Sequence, residues 1–195
     1  MTLVLAEVKK AGTDFGRIEE GTYPARIAQV VDFGIQPQTD WKTKEPTASK
    51  PRVMITWEFP TSRIELENDE GTTSLPRWQG KEYTVSNSEM SNLMKLVGTL
   101  KPKARSLDEL LNVPCMVQIG STSGGNARVD NVLPAMQGME VAELEKDSAY
   151  FDFDHPEEEL FLALPPWQQR KIKEAENYNG FADGWGEEAT TEGDY

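Results

Sequence analysis

The sequence predicts a mainly β protein: a five-stranded antiparallel barrel, a short helix between strands three and four, a C-terminal helix and a disordered acidic tail. Three observations carry this. Several stretches before residue 135 alternate apolar and polar residues with a period of two. One stretch among them switches to the helical period. The charge also changes sharply near residue 139. Residues 1–139 hold 16 Lys+Arg and 17 Asp+Glu, a net of −1, whereas residues 140–195 hold 4 and 16, a net of −12, together giving the chain's −13. At 195 residues the chain is long enough for one substantial core plus extensions. The expected organisation is an N-terminal extension over 1–20, a barrel over 21–138, an acidic linker with a packed helix over 139–176, and the tail over 177–195.

The elements follow in order. "GTYPARIAQVVDFGI" (21–35) is β-branched and aromatic and reads as a long strand, with Pro24 near its start where a proline is tolerated. "QPQTDWKTKEPTASK" (36–50) is turn-rich and basic, a loop or a finger. In "RVMITWEF" (52–59), Val53, Ile55, Trp57 and Phe59 share one face and Arg52, Met54, Thr56 and Glu58 the other, which puts Trp57 in the core. A polar, loop-like segment over 60–76 precedes a less regular strand, "RWQGKEYTVS" (77–86). In "SNSEMSNLMKLVGTL" (86–100), Met90, Leu93, Met94 and Val97 fall at i, i+3, i+4 and i+7, with Ser86 or Ser88 as cap and Gly98 near the end. "SLDELLN" (106–112) adds a helical turn, and "VPCMVQIGS" (113–121) pairs with "NARVDNVLPA" (126–135) as a hairpin. Over 156–178, Pro165 and Pro166 interrupt a short helix. A second helix then runs to about Glu176 and packs Trp167 and Ile172 on the barrel. Five strands with a helix between the third and fourth is the element order of an OB-fold barrel, whereas a β-sandwich would call for about seven strands.

What is missing narrows the chemistry. Cys115 is the single cysteine, so no intramolecular disulfide forms, and its apolar run marks it as a buried, inert thiol. The N-terminal "MTLVLAEVKKAG" places its lysines after the apolar stretch, the wrong order for a secretory signal, and no run approaches the ~18–20 apolar residues of a membrane span. A cytoplasmic protein without a membrane partner is expected. His155 stands alone between acids and a proline, which speaks against zinc sites and histidine triads. "GSTSGG" (120–125) joins two strands and reads as a hairpin turn rather than a phosphate loop. Asp152/Asp154 and Glu157/Glu158/Glu159 read as a solvated acidic face. No catalytic constellation, metal site or cofactor motif emerges, and the expectation is a protein that is not an enzyme.

Binding is the better fit. Binders of single-stranded nucleic acid combine cations for phosphates with aromatic rings on which bases stack. Trp41, Lys42, Lys44, Lys50 and Arg52 cluster in the first loop and the start of strand two. Arg77, Trp78, Lys81 and Tyr83 cluster on strand three, with Arg26 on strand one and Arg128 on strand five. Trp41 has only polar neighbours, a costly exposure unless something covers it. Tyr83 fits the core and a stacking role equally.

The pattern "GTYPARIAQVVDFG … WKTKEP … VMITWEFP … GKEYTVSNSEMSNLMKLV … LLNVPCMVQIG … ARVDNVLPA … LPPWQQRKIKEAENY" resembles a family of bacteriophage single-stranded DNA-binding proteins over about residues 20–178. The resemblance implies an OB fold and a role without base specificity in coating and protecting single-stranded DNA during phage replication, recombination and repair, in the cytoplasm of the infected host. It implies a DNA surface on Trp41, Lys42, Lys44, Lys50, Arg52 and the strand-three cluster. It also implies an acidic tail that contacts a phage DNA polymerase, helicase, primase or recombinase.

Physical chemistry gives the same tail a second task. A flexible run of carboxylates beside a basic groove competes with DNA at high effective concentration, and DNA displaces it with release of counterions. The tail residues that would grip a partner are Trp185, Glu187, Glu188, Glu192, Asp194 and Tyr195. The competing expectation is a phage structural or virion protein, or a protein-interaction module that mimics DNA through its acidic half. The glycines of the tail argue against an ordered acidic face. A monomer and a dimer fit the sequence equally.

Overall fold

A computed structural model describes residues 17–68 and 71–186. Its elements run β1 (Gly21–Thr39), β2 (Pro46–Asn68), β3 (Gly71–Thr84), α1 (Asn92–Leu100), a 3-10 turn (Asp108–Leu110), β4 (Pro114–Ser121), β5 (Ala127–Pro134), β6 (Ala149–Phe151), α2 (Glu158–Ala163) and α3 (Pro166–Lys173). The fold is mainly β. Five strands lie in the order β3-β2-β1-β4-β5, each antiparallel to its neighbour, and the short β6 runs parallel to β1.

β1 serves three partners because it bends. Its first part, Gly21 to Arg26, pairs with β4, and after a register shift Gln29 to Val31 pair with β6. Such irregularities insert an unpaired residue and increase local twist, which curls the sheet around its apolar side. β1 and β2 then run on together beyond the core as a finger, paired as far as Thr39 and Pro46. The expected loop over 60–76 is also strand. β2 and β3 pair from Arg63–Pro76 to Asn68–Gly71 as an arm. Backbone pairing and the Arg63–Ser74 bonds hold this arm, and its short alternation, Ile64 and Leu66 between charged residues, is only half-buried.

Curling stops short of closure. β3 and β5, the two ends of the strand path, are not paired with each other, so the closed barrel expected from the element order is not formed. At that seam the Lys81 ammonium donates to the backbone carbonyls of Val129 (2.9 Å) and Asp130 (3.4 Å). A charged side chain turned inward at a strand edge takes the place of ladder bonds and discourages pairing.

The inner face of the sheet holds the first core, built from Ile27, Val30, Val53, Ile55, Trp57, Phe59, Tyr83, Val117 and Ile119. α1 closes one side with Leu93, Leu96 and Val97. This differs in phase from the expected helix face. Ser91 rather than Ser86 or Ser88 caps the helix, its hydroxyl accepting from the Met94 amide at 3.1 Å, and Met90 and Met94 face out. Cys115 is buried, and burial pushes its thiol up to about 12, as expected for an inert cysteine.

The outer face is not bare. A second core of Val31, Phe33, Phe151, Phe153, Phe161, Leu164 and Ile172 covers it, with Met54 packed against the cluster. Residues 177–186, expected to begin a disordered tail, belong to this core. Phe181 lies 4.9 Å from the Tyr178 ring, 5.5 Å from Phe153 and 5.6 Å from Trp185, and Ala182 is fully buried. Gly180 and Gly184, at φ of 85° and 88°, turn the chain so that widely spaced aromatics meet. The Tyr178 hydroxyl donates to Asp183 Oδ1 at 2.8 Å and accepts from the Ala182 amide at 3.1 Å, which fastens the turn.

Candidate nucleic-acid interface

The tip of the finger orders itself with backbone and one carboxylate. Asp40 Oδ1 accepts from the amides of Lys42 (2.8 Å) and Thr43 (2.9 Å), which holds the Asp40 carboxyl below its usual range. The Asp40 amide donates to the Glu45 carbonyl at 2.8 Å, and Lys44 turns at φ 61°. None of this uses the indole of Trp41, which is 74% exposed with the Lys42 ammonium 4.9 Å from its ring centre. Lys44 is exposed, and so is Lys50, which lies opposite Gln36 on the finger's second strand. The finger therefore presents a tryptophan and three lysines to solvent on a pre-ordered support. The indole has no apolar seat, and a cation beside it suits a base plane and its phosphate.

The other sequence candidates separate, because successive residues on a strand point to opposite faces. On β3, Trp78 lies opposite Glu58 on the outer face, while Arg77, Lys81 and Tyr83 lie opposite Phe59, Ile55 and Val53 on the inner one. Tyr83 is buried in the first core, where burial raises its phenol above the ordinary range, so of its two open readings the structure gives it the core. The Trp78 indole donates to Glu58 Oε2 at 2.9 Å, and the same buried carboxylate accepts the Glu145 amide at 3.0 Å. Trp78 thus has a structural bond, although 40% of it remains exposed.

Two of the arginines expected at a DNA surface, Arg26 and Arg52, make bonds within the fold. Arg26 donates to the carbonyls of Asn112 (2.8 Å), Val141 (2.9 Å) and Ala142 (2.9 Å) and to Glu143 Oε1 (2.8 Å), tying the 141–143 crossing to β1. Arg52 donates to Glu82 Oε1 (2.5 Å) and Thr84 Oγ1 (2.6 Å). Glu82 also takes the ammonium of Lys171, so β2, β3 and α3 are joined through one carboxylate. Burial pushes the Glu82 carboxyl up, but the hydrogen bonds from Lys171 and Arg52 outweigh it and leave the group below its usual value. Both arginines thus tie separate parts of the fold together.

Arg77, Lys81 and Arg128 come together at the seam. Three adjoining hollows follow it. The first is lined by Arg17, Arg77, Trp78, Gln79, Asn126 and Ala127, the second by Gln79, Lys81, Ala127, Arg128 and Asp130, and the third by Lys81, Asn92, Lys95, Asp130 and Asn131, among others. Arg77 donates to the Arg63 carbonyl at 3.2 Å, Arg128 pairs with Asp130 at 2.6 Å, and burial holds the Lys81 ammonium below its usual range. Sequence reasoning missed Arg17 and Lys95. No local signal marks either one; only the tertiary fold brings an arginine before β1 and a lysine on the open side of α1 to β5.

Of the tail candidates, Trp185 is half-buried in the second core, 5.6 Å from Phe161. Glu187, Glu188, Glu192, Asp194 and Tyr195 lie outside the described residues. His155 lies in an exposed loop, 3.0 Å from Asp152, and no helix of the described residues is long and apolar enough to cross a membrane. Compared with known proteins, the chain matches no family model, no curated protein and no solved structure.

Proposed function

We propose that the protein binds single-stranded DNA without base specificity, as a non-enzymatic coat in phage DNA replication, recombination and repair. The finger supports this reading most strongly: Trp41 is displayed on a self-ordered tip with Lys42 against its ring. A stacking platform tolerates any base, since every base has a π face, and flanking lysines match the backbone charge. The strand order β3-β2-β1-β4-β5, with α1 between β3 and β4, supports an OB-type barrel left open at one seam. The five carboxylate and aromatic residues beyond 186 keep the role of competitor and partner hook, while Trp185 belongs to the folded part.

Tryptophan fluorescence during titration with oligo-dT tests the reading. The full chain quenches and binds more tightly at low salt, and Trp41→Ala loses ~1–3 kcal/mol of affinity, the typical worth of one stacked base. A full chain that does not bind at low salt overturns the proposal.

A further inference from the structure

The three hollows at the seam are one trough. The first and second share Gln79 and Ala127, and the second and third share Lys81 and Asp130. Along β3 the trough runs from Arg77 to Tyr83, about 20 Å at the rise of an extended strand. Among the described residues that line it, the cations are Arg17, Arg77, Lys81, Lys95 and Arg128, and the one acid is Asp130. In a chain of net charge −13, five of the 20 lysines and arginines thus line a single narrow track.

Lys81, Arg128 and Arg17 keep donors in reserve. The Lys81 ammonium has three N–H groups and directs them at two carbonyls. The Arg128 guanidinium gives Asp130 its Nε–H, and Arg17 gives the Gly125 carbonyl a bond from Nη1. Each guanidinium has five N–H groups in a fork that fits a phosphate. The track also points towards the finger. Tyr83 at its end lies opposite Val53, and the preceding residues of β2 are the finger's second strand.

The chemistry favours a nucleic-acid backbone over an added peptide strand. A peptide joining a sheet edge needs that edge's carbonyls and amides. Here Lys81 already occupies the carbonyls of Val129 and Asp130 in the middle of the seam. A phosphodiester chain needs only charge and N–H donors along its length.

We infer that the open seam between β3 and β5 is a phosphate track, along which an extended DNA strand runs from Arg17 past Lys81 and Arg128 to Lys95 before its bases reach the finger. This rests on the single-strand reading above and deepens it: the barrel is left open because the gap is the groove.

The test is a salt series of oligo-dT titrations on the full chain carrying Lys95→Ala with Arg128→Ala. Lys103→Ala with Arg105→Ala serves as a matched control that removes the same charge outside the trough. Two lost phosphate contacts flatten the dependence of log K on log salt by about 1.4. The seam pair shows that change and on the order of tenfold weaker binding at low salt, while the fluorescence quench at saturation persists. The control pair stays near the unsubstituted chain. A seam pair that behaves like the control overturns the track, and the finger reading survives if Trp41→Ala still weakens binding. Poly-glutamate that binds through Lys95 and Arg128 while oligo-dT does not would assign the trough to an acidic peptide and overturn the track. A full chain that binds no oligo-dT removes finger and track together.

Discussion

The two faces of the sheet are built by different rules. The inner face takes its centre from one strand: Val53, Ile55, Trp57 and Phe59 come from β2 at strict alternation, joined by Val117 and Ile119 of β4 and by α1. The outer face is assembled from afar. Val31, Phe33 and Met54 meet Phe151, Phe153, Phe161, Ile172 and Phe181, more than a hundred residues on in most cases. The acidic C-terminal part is therefore partly a second half of the fold. The lesson concerns charge: an acidic stretch need not be an extended tail when its few aromatics find one another.

The largest expected effects probe that second core. Phe161→Ala removes a fully buried ring in contact with Phe151, Phe181 and Trp185, and a loss of ~3–5 kcal/mol in chemical denaturation is expected. A chain ended after residue 176 loses Tyr178, Phe181 and Trp185 together and falls further still, whereas one ended after 186 keeps them all. If ending the chain at 176 left the melting transition unmoved, the outer face would not be a core, and the contrast between the faces would collapse.

An intermediate effect is expected at the Arg52–Glu82–Lys171 junction, which binds the outer cover to the sheet. Glu82→Gln costs on the order of 1–3 kcal/mol at neutral pH. The folded-state pKa of Glu82 lies below the ordinary value of 4.5, so its stabilisation is present above that value and is lost as pH falls through the folded one. Denaturation midpoints of the two proteins thus converge in acid. A constant gap down to strongly acidic pH contradicts this sign.

The smallest effect on stability is expected at the finger. Trp41→Ala touches no packed neighbour and shifts stability by less than about 0.5 kcal/mol, against its loss of DNA affinity. A large drop in melting temperature would show that Trp41 is a structural residue and would remove it from the interface.

How much of this was legible follows from the same contrast. Strict alternation over 52–59 placed Trp57 and its neighbours inside, and the turn chemistry around Trp41 marked an exposed tip. The helix after β3 was visible but out of phase. Met90, Leu93, Met94 and Val97 fit the same spacing as Leu93, Leu96, Val97 and Leu100, and the cap at Ser91 decides between them. The arm over 60–76 was overlooked because its apolar residues are few: Ile64 and Leu66 alternate with Arg63, Glu65 and Glu67, and Ile64 pairs with Leu75, while Arg63 adds side-chain bonds to Ser74. The bonds that Arg26 and Arg52 make within the fold could not be read, because their partners at 112, 141–143 and 82 lie far away along the chain. The seam was hidden for the complementary reason: an element order announces a barrel, whereas a gap between two of its strands exists only in three dimensions.

Hydrogen exchange of the full chain with and without oligo-dT tests the division of labour most directly. The account predicts slowed exchange over 40–50, 77–83 and 126–132, at the finger and along the seam, with exchange over 151–185 unchanged. Protection confined to 151–185, or none anywhere at low salt, would contradict it.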